Sequence, residues 1–117
     1  MRRNAACIGA LFVVLMAAPA FAAQDKEVSG KDIAYDRSKG NCLACHGMPT
    51  MADAEQTGTG GPPLIAMQAR FPDRKVLRAK IWDATATNPN TFMPPLGKHG
   101  VLTEQEIDKV VDFIYGL

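Results

Sequence analysis

Three observations predict an all-α fold for this chain of 117 residues. Residues 102–116 combine paired helix-start signals with an apolar stripe at helical spacing. A second stripe with the same spacing runs through residues 76–84. No segment of any length alternates with the two-residue period of a strand, and no internal repeat is visible. The expected architecture is one small helical domain with Pro/Gly-rich loops between the helices.

The elements follow in chain order. Arg2 and Arg3, the uncharged apolar run from Ala5 to Ala18, and the small residues of Ala20-Phe21-Ala22 have the layout of a secretory signal. Residues 1–22 are therefore expected to be a cleaved signal peptide and residues 23–117 the domain. The apolar run is short for a bilayer, so no membrane anchor is expected. Cys7 leaves with the signal. After a polar leader, Ser29 reads as an N-cap with Asp32 three positions later and a Val28/Ile33 staple. The helix it opens should run to about Lys39, with Gly40 as its C′ residue. Residues 47–63 read as loop, because Thr57-Gly58-Thr59-Gly60-Gly61-Pro62-Pro63 cannot lie inside a helix or sheet.

Residues 64–70 hold one or two helical turns. Pro72 and Asp73 then open a helix over residues 74–86, with Leu77, Ile81 and Ala84 on one face and Val76 beside them. Asn88-Pro89 ends it. Residues 88–100 form a second loop holding Phe92-Met93-Pro94-Pro95. The final helix carries the clearest signals: a Thr103/Glu106 capping box, a Leu102/Ile107 staple, the stripe Ile107, Val110, Val111 and Ile114, and Gly116 as C′.

Cleavage leaves about 95 residues, close to the smallest chain that one apolar core holds together unaided. Such domains often rely on a disulfide, a metal or a cofactor. Without Arg2 and Arg3 the chain carries 11 Lys+Arg against 12 Asp+Glu, a net of −1. That balance argues against a nucleic-acid binder.

Cys42-Leu43-Ala44-Cys45-His46 supplies the staple. Cys-x-x-Cys-His is the attachment pattern of a c-type haem. Two thiols three residues apart match the two vinyl groups on one porphyrin edge, and the adjacent imidazole is carried under the iron. A disulfide between so close a pair would close a tiny loop and stabilise little. A thiol-disulfide oxidoreductase site wants a βαβ context. A zinc site needs four ligands, and His99 is the one obvious strong addition. One covalent haem c is the expected cofactor, with His46 as an axial metal ligand.

The candidates for the sixth ligand are Met48, Met51, Met67, Met93 and His99. Met48 and Met51 follow His46 too closely to reach the opposite face, and Met67 reads as core. Met93 is favoured because Pro94 and Pro95 stiffen its loop; His99 is the rival. The second ring nitrogen of His46 needs a hydrogen-bond acceptor. The Pro62 carbonyl in Gly61-Pro62-Pro63-Leu64 is the choice, although a plain turn is an equal reading. Trp82 and Tyr35 could pack on the haem or donate to a propionate, or be ordinary core.

The order of these parts resembles a class I cytochrome c. Gly40-Asn41-Cys42-Leu43-Ala44-Cys45-His46, Gly60-Gly61-Pro62-Pro63-Leu64, Arg70-Phe71-Pro72-Asp73, Ile81-Trp82-Asp83-Ala84-Thr85, Asn88 to Pro95 and Leu102 to Ile107 resemble SoxX, the monohaem subunit of the SoxAX complex of bacterial sulfur oxidation. The resemblance implies a periplasmic heterodimer with a SoxA-like cytochrome, which joins thiosulfate oxidatively to a cysteine of a SoxYZ-like carrier, an L-cysteine S-thiosulfotransferase activity. It implies Cys42 and Cys45 as attachment sites, His46 and Met93 as ligands, and Pro62 as the carbonyl partner.

This chain would not be catalytic alone. Beyond the two haem cysteines the mature chain has no thiol to act as nucleophile, so it reads as the electron outlet toward a downstream acceptor. The alternative is a free-standing periplasmic carrier serving another oxidoreductase or a terminal oxidase. Arg70, Arg74, Lys75, Arg78 and Lys80 form a basic stretch, and Glu104, Glu106, Asp108 and Asp112 an acidic helix. The basic stretch reads as a docking patch or, slightly better, as a solvated face.

Overall fold

The computed structural model describes residues 27–117, so the expected signal peptide at residues 1–22 lies outside the described residues. Four α-helices follow in chain order: α1 (Gly30–Tyr35), α2 (Met67–Arg70), α3 (Arg74–Trp82) and α4 (Glu104–Tyr115). Two 3₁₀ turns, Cys42–Ala44 and Ala84–Ala86, complete the regular structure, and no strand occurs among the described residues. The all-α expectation holds.

Side-chain caps set the helix starts. Ser29 and Asp32 close a reciprocal capping box on α1, and Thr103 and Glu106 close another on α4. In each, two backbone N–H groups with no partner inside the helix gain one. Leu102 and Ile107 are buried, as are Val110, Val111 and Ile114. This stripe faces α1 and α3, so α4 is the backbone of the core. Gly30 lets α1 meet α4 closely: a Cβ there would stand 1.9 Å from the Lys109 carbonyl oxygen.

Three helix ends differ from expectation. α1 stops at Tyr35 rather than near Lys39, because Asp36 turns extended and its carboxylate takes the Ser38 N–H at 2.7 Å. An Asp that bonds the backbone two residues on competes with helix propagation. Gly40 is consequently no C′ residue; its N–H reaches back to the Ile33 carbonyl at 3.0 Å. The helix expected over residues 74–86 is broken at Asp83 (φ −153°, ψ 90°). The Asp83 carboxylate caps the following 3₁₀ turn through the Thr85 N–H at 3.0 Å. Gly116 ends α4 in a right-handed conformation instead of the left-handed C′ one. Leu77, Ile81 and Ala84 are buried as expected, but Val76 is 52% exposed and faces away from the core.

The basic and acidic segments pair with each other. Arg74 binds Asp112, and Arg78 binds Glu104 at 2.5 Å and Asp108 at 2.6 Å. Partners descend along α4 as positions ascend along α3, so the helices are antiparallel and the pairs bridge them. Lys39 engages Glu106 at 2.6 Å. Arg74 and Arg78 of the basic stretch thus pair with α4 within the fold.

Candidate cofactor cleft

A cleft of about 250 Å³ opens between α3, α4 and the two long loops. Its lining is mainly apolar: Leu64, Met67, Phe71, Leu77, Ile81, Leu96, Val110 and Ile114. Cys42, His46, Pro62 and Met93 line the same cleft, so four of the five residues singled out from sequence converge there. Cys45 stands beside it, in contact range of Gly60. Arg70 and Lys80 are the charged residues of the lining, and no carboxylate joins them. An apolar macrocycle bearing carboxylates fits such walls.

The Cys-x-x-Cys-His segment is shaped by a tight turn. Asn41 enters it in the left-handed region (φ 48°), which Asn tolerates better than most residues. The Cys42 carbonyl then accepts the Cys45 and His46 N–H groups at 3.2 and 2.9 Å. This winds both cysteines and the histidine into a single turn. Burial pushes the Cys42 thiol up to about 11, so it is neutral at ordinary pH. Cys42 and Cys45 are free of disulfides, and no cluster of three or more His, Cys, Asp or Glu suited to a metal occurs among the described residues.

The Gly/Pro loop is laced to that turn by backbone hydrogen bonds. Gly58 N–H donates to the Leu43 carbonyl at 2.9 Å, Gly61 to Cys45 at 2.8 Å and Leu64 to Gly47 at 2.8 Å. The lacing brings the Pro62 carbonyl oxygen to 2.6 Å from His46 Nδ1. The ring is thus oriented with Nε2 left over for another partner. Gly61 packs flat on the imidazole, where a Cβ would stand 2.4 Å from Cε1 and 2.7 Å from Nδ1.

Met93 is held by its own loop. Its N–H donates to Thr91 Oγ1 at 3.2 Å, and Thr91 N–H donates to the Asn88 carbonyl at 3.0 Å. Beyond it, Gly97 and Lys98 N–H groups both donate to the Trp82 carbonyl, at 3.1 and 3.2 Å. Gly97 lies on the Trp82 ring, where a Cβ would stand 2.0 Å from the nearest carbon. Lys98 pairs with Asp83 at 2.8 Å, an ion pair that holds the Asp83 carboxyl below its usual value. Asp83 thus ties the Met93 loop to the end of α3. His99 is exposed and does not line the cleft.

Met67 is buried, as expected, and also lines the cleft. Trp82 and Tyr35 do not line it. Trp82 anchors the Met93 loop, whereas Tyr35 packs edge-on against Phe113, with ring centroids 6.2 Å apart. Sequence reasoning placed Gly61 in the site only as part of the Pro62 loop, without its packing on the ring, and missed Gly97 and the Asp83–Lys98 pair.

Comparison with known proteins places the cleft in context. Residues 29–114 match the family described as cytochrome c oxidase, cbb3-type, subunit III. The cbb3-type cytochrome c oxidase subunit CcoP of Azospirillum sp. (strain B510) is 33% identical, over 80% of this chain and 33% of that protein. The chain therefore spans about a third of the length of that curated relative. The crystal structure of SoxXA from P. pantotrophus is similar with a TM-score of 0.66 and 30% identity, over 74% of this chain and 77% of that one.

Proposed function

This chain belongs to the family of cytochrome c oxidase, cbb3-type, subunit III, as a SoxX-like monohaem cytochrome c with one covalent haem c, and from that premise we propose that it is the electron-transfer subunit of a SoxAX-like complex. The haem supplies a centre that takes up and releases one electron. Cys42 and Cys45 would tether it, His46 and Met93 would ligate its iron, and the Pro62 carbonyl would fix the His46 ring. The supporting observation is the convergence of Cys42, His46 and Met93 on one apolar cleft, from which His99 is absent. Methionine–histidine ligation raises the potential relative to two imidazoles, which suits a carrier that accepts electrons from a partner.

The proposed partner is a SoxA-like cytochrome, as in the SoxXA structure that this chain resembles. Thiosulfate is joined to a SoxYZ-like carrier on that partner, because the mature chain holds no third cysteine. Export to the periplasm through cleavage after Ala22 belongs to the same reading. Phe92, 94% exposed beside Met93, offers an apolar contact for docking at that loop.

Among the described residues no helix is long and apolar enough to cross a membrane. The likeness to CcoP favours a second reading, a carrier feeding a terminal oxidase. Co-expression with a SoxA-like cytochrome, followed by affinity purification, separates them. A one-to-one complex that reduces this haem when given thiosulfate and the carrier supports the first reading. Failure to associate, with rapid electron delivery to an oxidase, supports the second.

A further inference from the structure

Arg70 was grouped with the basic stretch in the sequence, but the fold gives it a different task. It closes α2, a single turn whose first residue, Met67, is 2% exposed and seated in the core. Positions three apart share a helix face, so the anchored Met67 fixes where Arg70 points. Its Nη1 donates to the Pro63 carbonyl at 2.7 Å, and stands 3.5 Å from the Ile65 carbonyl and 3.4 Å from Met67 Sδ. No carboxylate of the chain pairs with it among the described residues, and it also lines the cofactor cleft. The preceding carbonyl, Pro62, is the one 2.6 Å from His46 Nδ1.

Two consecutive carbonyls are therefore held, one by a histidine ring and one by a guanidinium. Neither proline has an N–H with which to anchor itself. The backbone bonds at Gly61 and Leu64 hold only the ends of the Pro-Pro segment. Arg70 supplies the missing hold at its centre.

We propose that Arg70 is a positioning residue: by binding the Pro63 carbonyl it keeps the Pro62 carbonyl on His46 Nδ1, and so fixes the ring that faces the cofactor. The inference rests on the reading of His46 as a haem ligand. A guanidinium suits the task because its rigid plane holds one donor nitrogen, Nη1, in fixed geometry within reach of the Pro63 and Ile65 carbonyls, whereas an ammonium on a flexible stem is not pre-organised.

The test uses the haem-loaded protein and reads solvent exchange of the His46 Nδ1 proton by NMR in the reduced state. Arg70→Gln should accelerate this exchange on the order of tenfold, the worth of one hydrogen bond. Exchange of the α3 and α4 backbone amides should stay as in the parent. Arg70→Lys, which keeps the charge but not the rigid plane, should restore slow exchange only in part. Unaltered His46 exchange in Arg70→Gln overturns the inference, as does an acceleration shared equally by the backbone amides. If the parent protein itself shows no iron-shifted His46 signals, the ligand reading fails, and this inference with it.

Discussion

Gly61→Ala places one methyl group where the structure has no room for it. The added Cβ would lie 2.4 Å from His46 Cε1, 2.7 Å from Nδ1 and 2.8 Å from Nε2. Carbon atoms in favourable contact sit about 3.5–4.0 Å apart, so ring and loop must separate by about 1 Å. The loop is stitched by the Gly61–Cys45 and Leu64–Gly47 hydrogen bonds, and the ring is tethered beside Cys45, so neither moves freely. Overpacking of this kind costs about 1–3 kcal/mol. Loss of the His46–Pro62 hydrogen bond adds about 1 kcal/mol.

Denaturant unfolding of the oxidised, haem-loaded protein should therefore show a loss of about 2–4 kcal/mol. The reduction potential should rise, because an imidazole without its carbonyl partner is a weaker donor to ferric iron. Gly60→Ala is the internal control. Its Cβ would meet Cys45 Sγ at 3.7 Å, an ordinary contact, and should be nearly silent. Equal stability and potential in both variants would refute the placement of the ring under the Gly61 backbone.

Met93→Ala should abolish the sulfur-to-iron charge-transfer band in the near-infrared of the oxidised protein, and an intact band moves the ligand elsewhere. Arg78→Ala removes two exposed ion pairs and should cost about 1 kcal/mol at low salt, shrinking as salt screens the pairs. A denaturation midpoint insensitive to both mutation and salt contradicts the bridge from α3 to α4. The Lys39 ammonium, and then the Thr103 N–H, hold the Glu106 carboxyl below its ordinary value of about 4.5. A lowered folded value gives stability that is present above about 4.5 and lost as pH falls through the lower folded value. Glu106→Gln should flatten that acid limb in pH-dependent unfolding, and a limb of unchanged steepness removes Glu106 from it.

Local signals carried most of the fold. Both capping boxes formed because Ser29/Asp32 and Thr103/Glu106 satisfy backbone donors within four residues, information that is wholly contained in the sequence. The α4 stripe was legible for the same reason. The misreadings at Asp36 and Asp83 share a cause. Each carboxylate turned the chain by bonding a backbone N–H two residues ahead, inside a pattern that still looked helical.

The site divides in the same way. Cys42, Cys45 and His46 are contiguous and needed no fold to be found. The choice of Met93 over His99 rested on loop stiffness, while the structure adds the Trp82, Gly97 and Asp83–Lys98 anchors. Arg70, Arg74 and Arg78 looked like one patch because they are close in sequence. Their partners, Pro63, Asp112 and the Glu104/Asp108 pair, lie on other elements and could not be assigned before the chain was folded.

The central claim is that two thioether bonds hold a haem in this cleft. Intact-mass measurement of the purified protein, followed by thiol alkylation and a pyridine haemochrome spectrum, tests it most directly. The account predicts a mass raised by one haem, no alkylation at Cys42 or Cys45, and the spectrum of a haem with both vinyl groups saturated. An unshifted mass with two alkylated cysteines would contradict it.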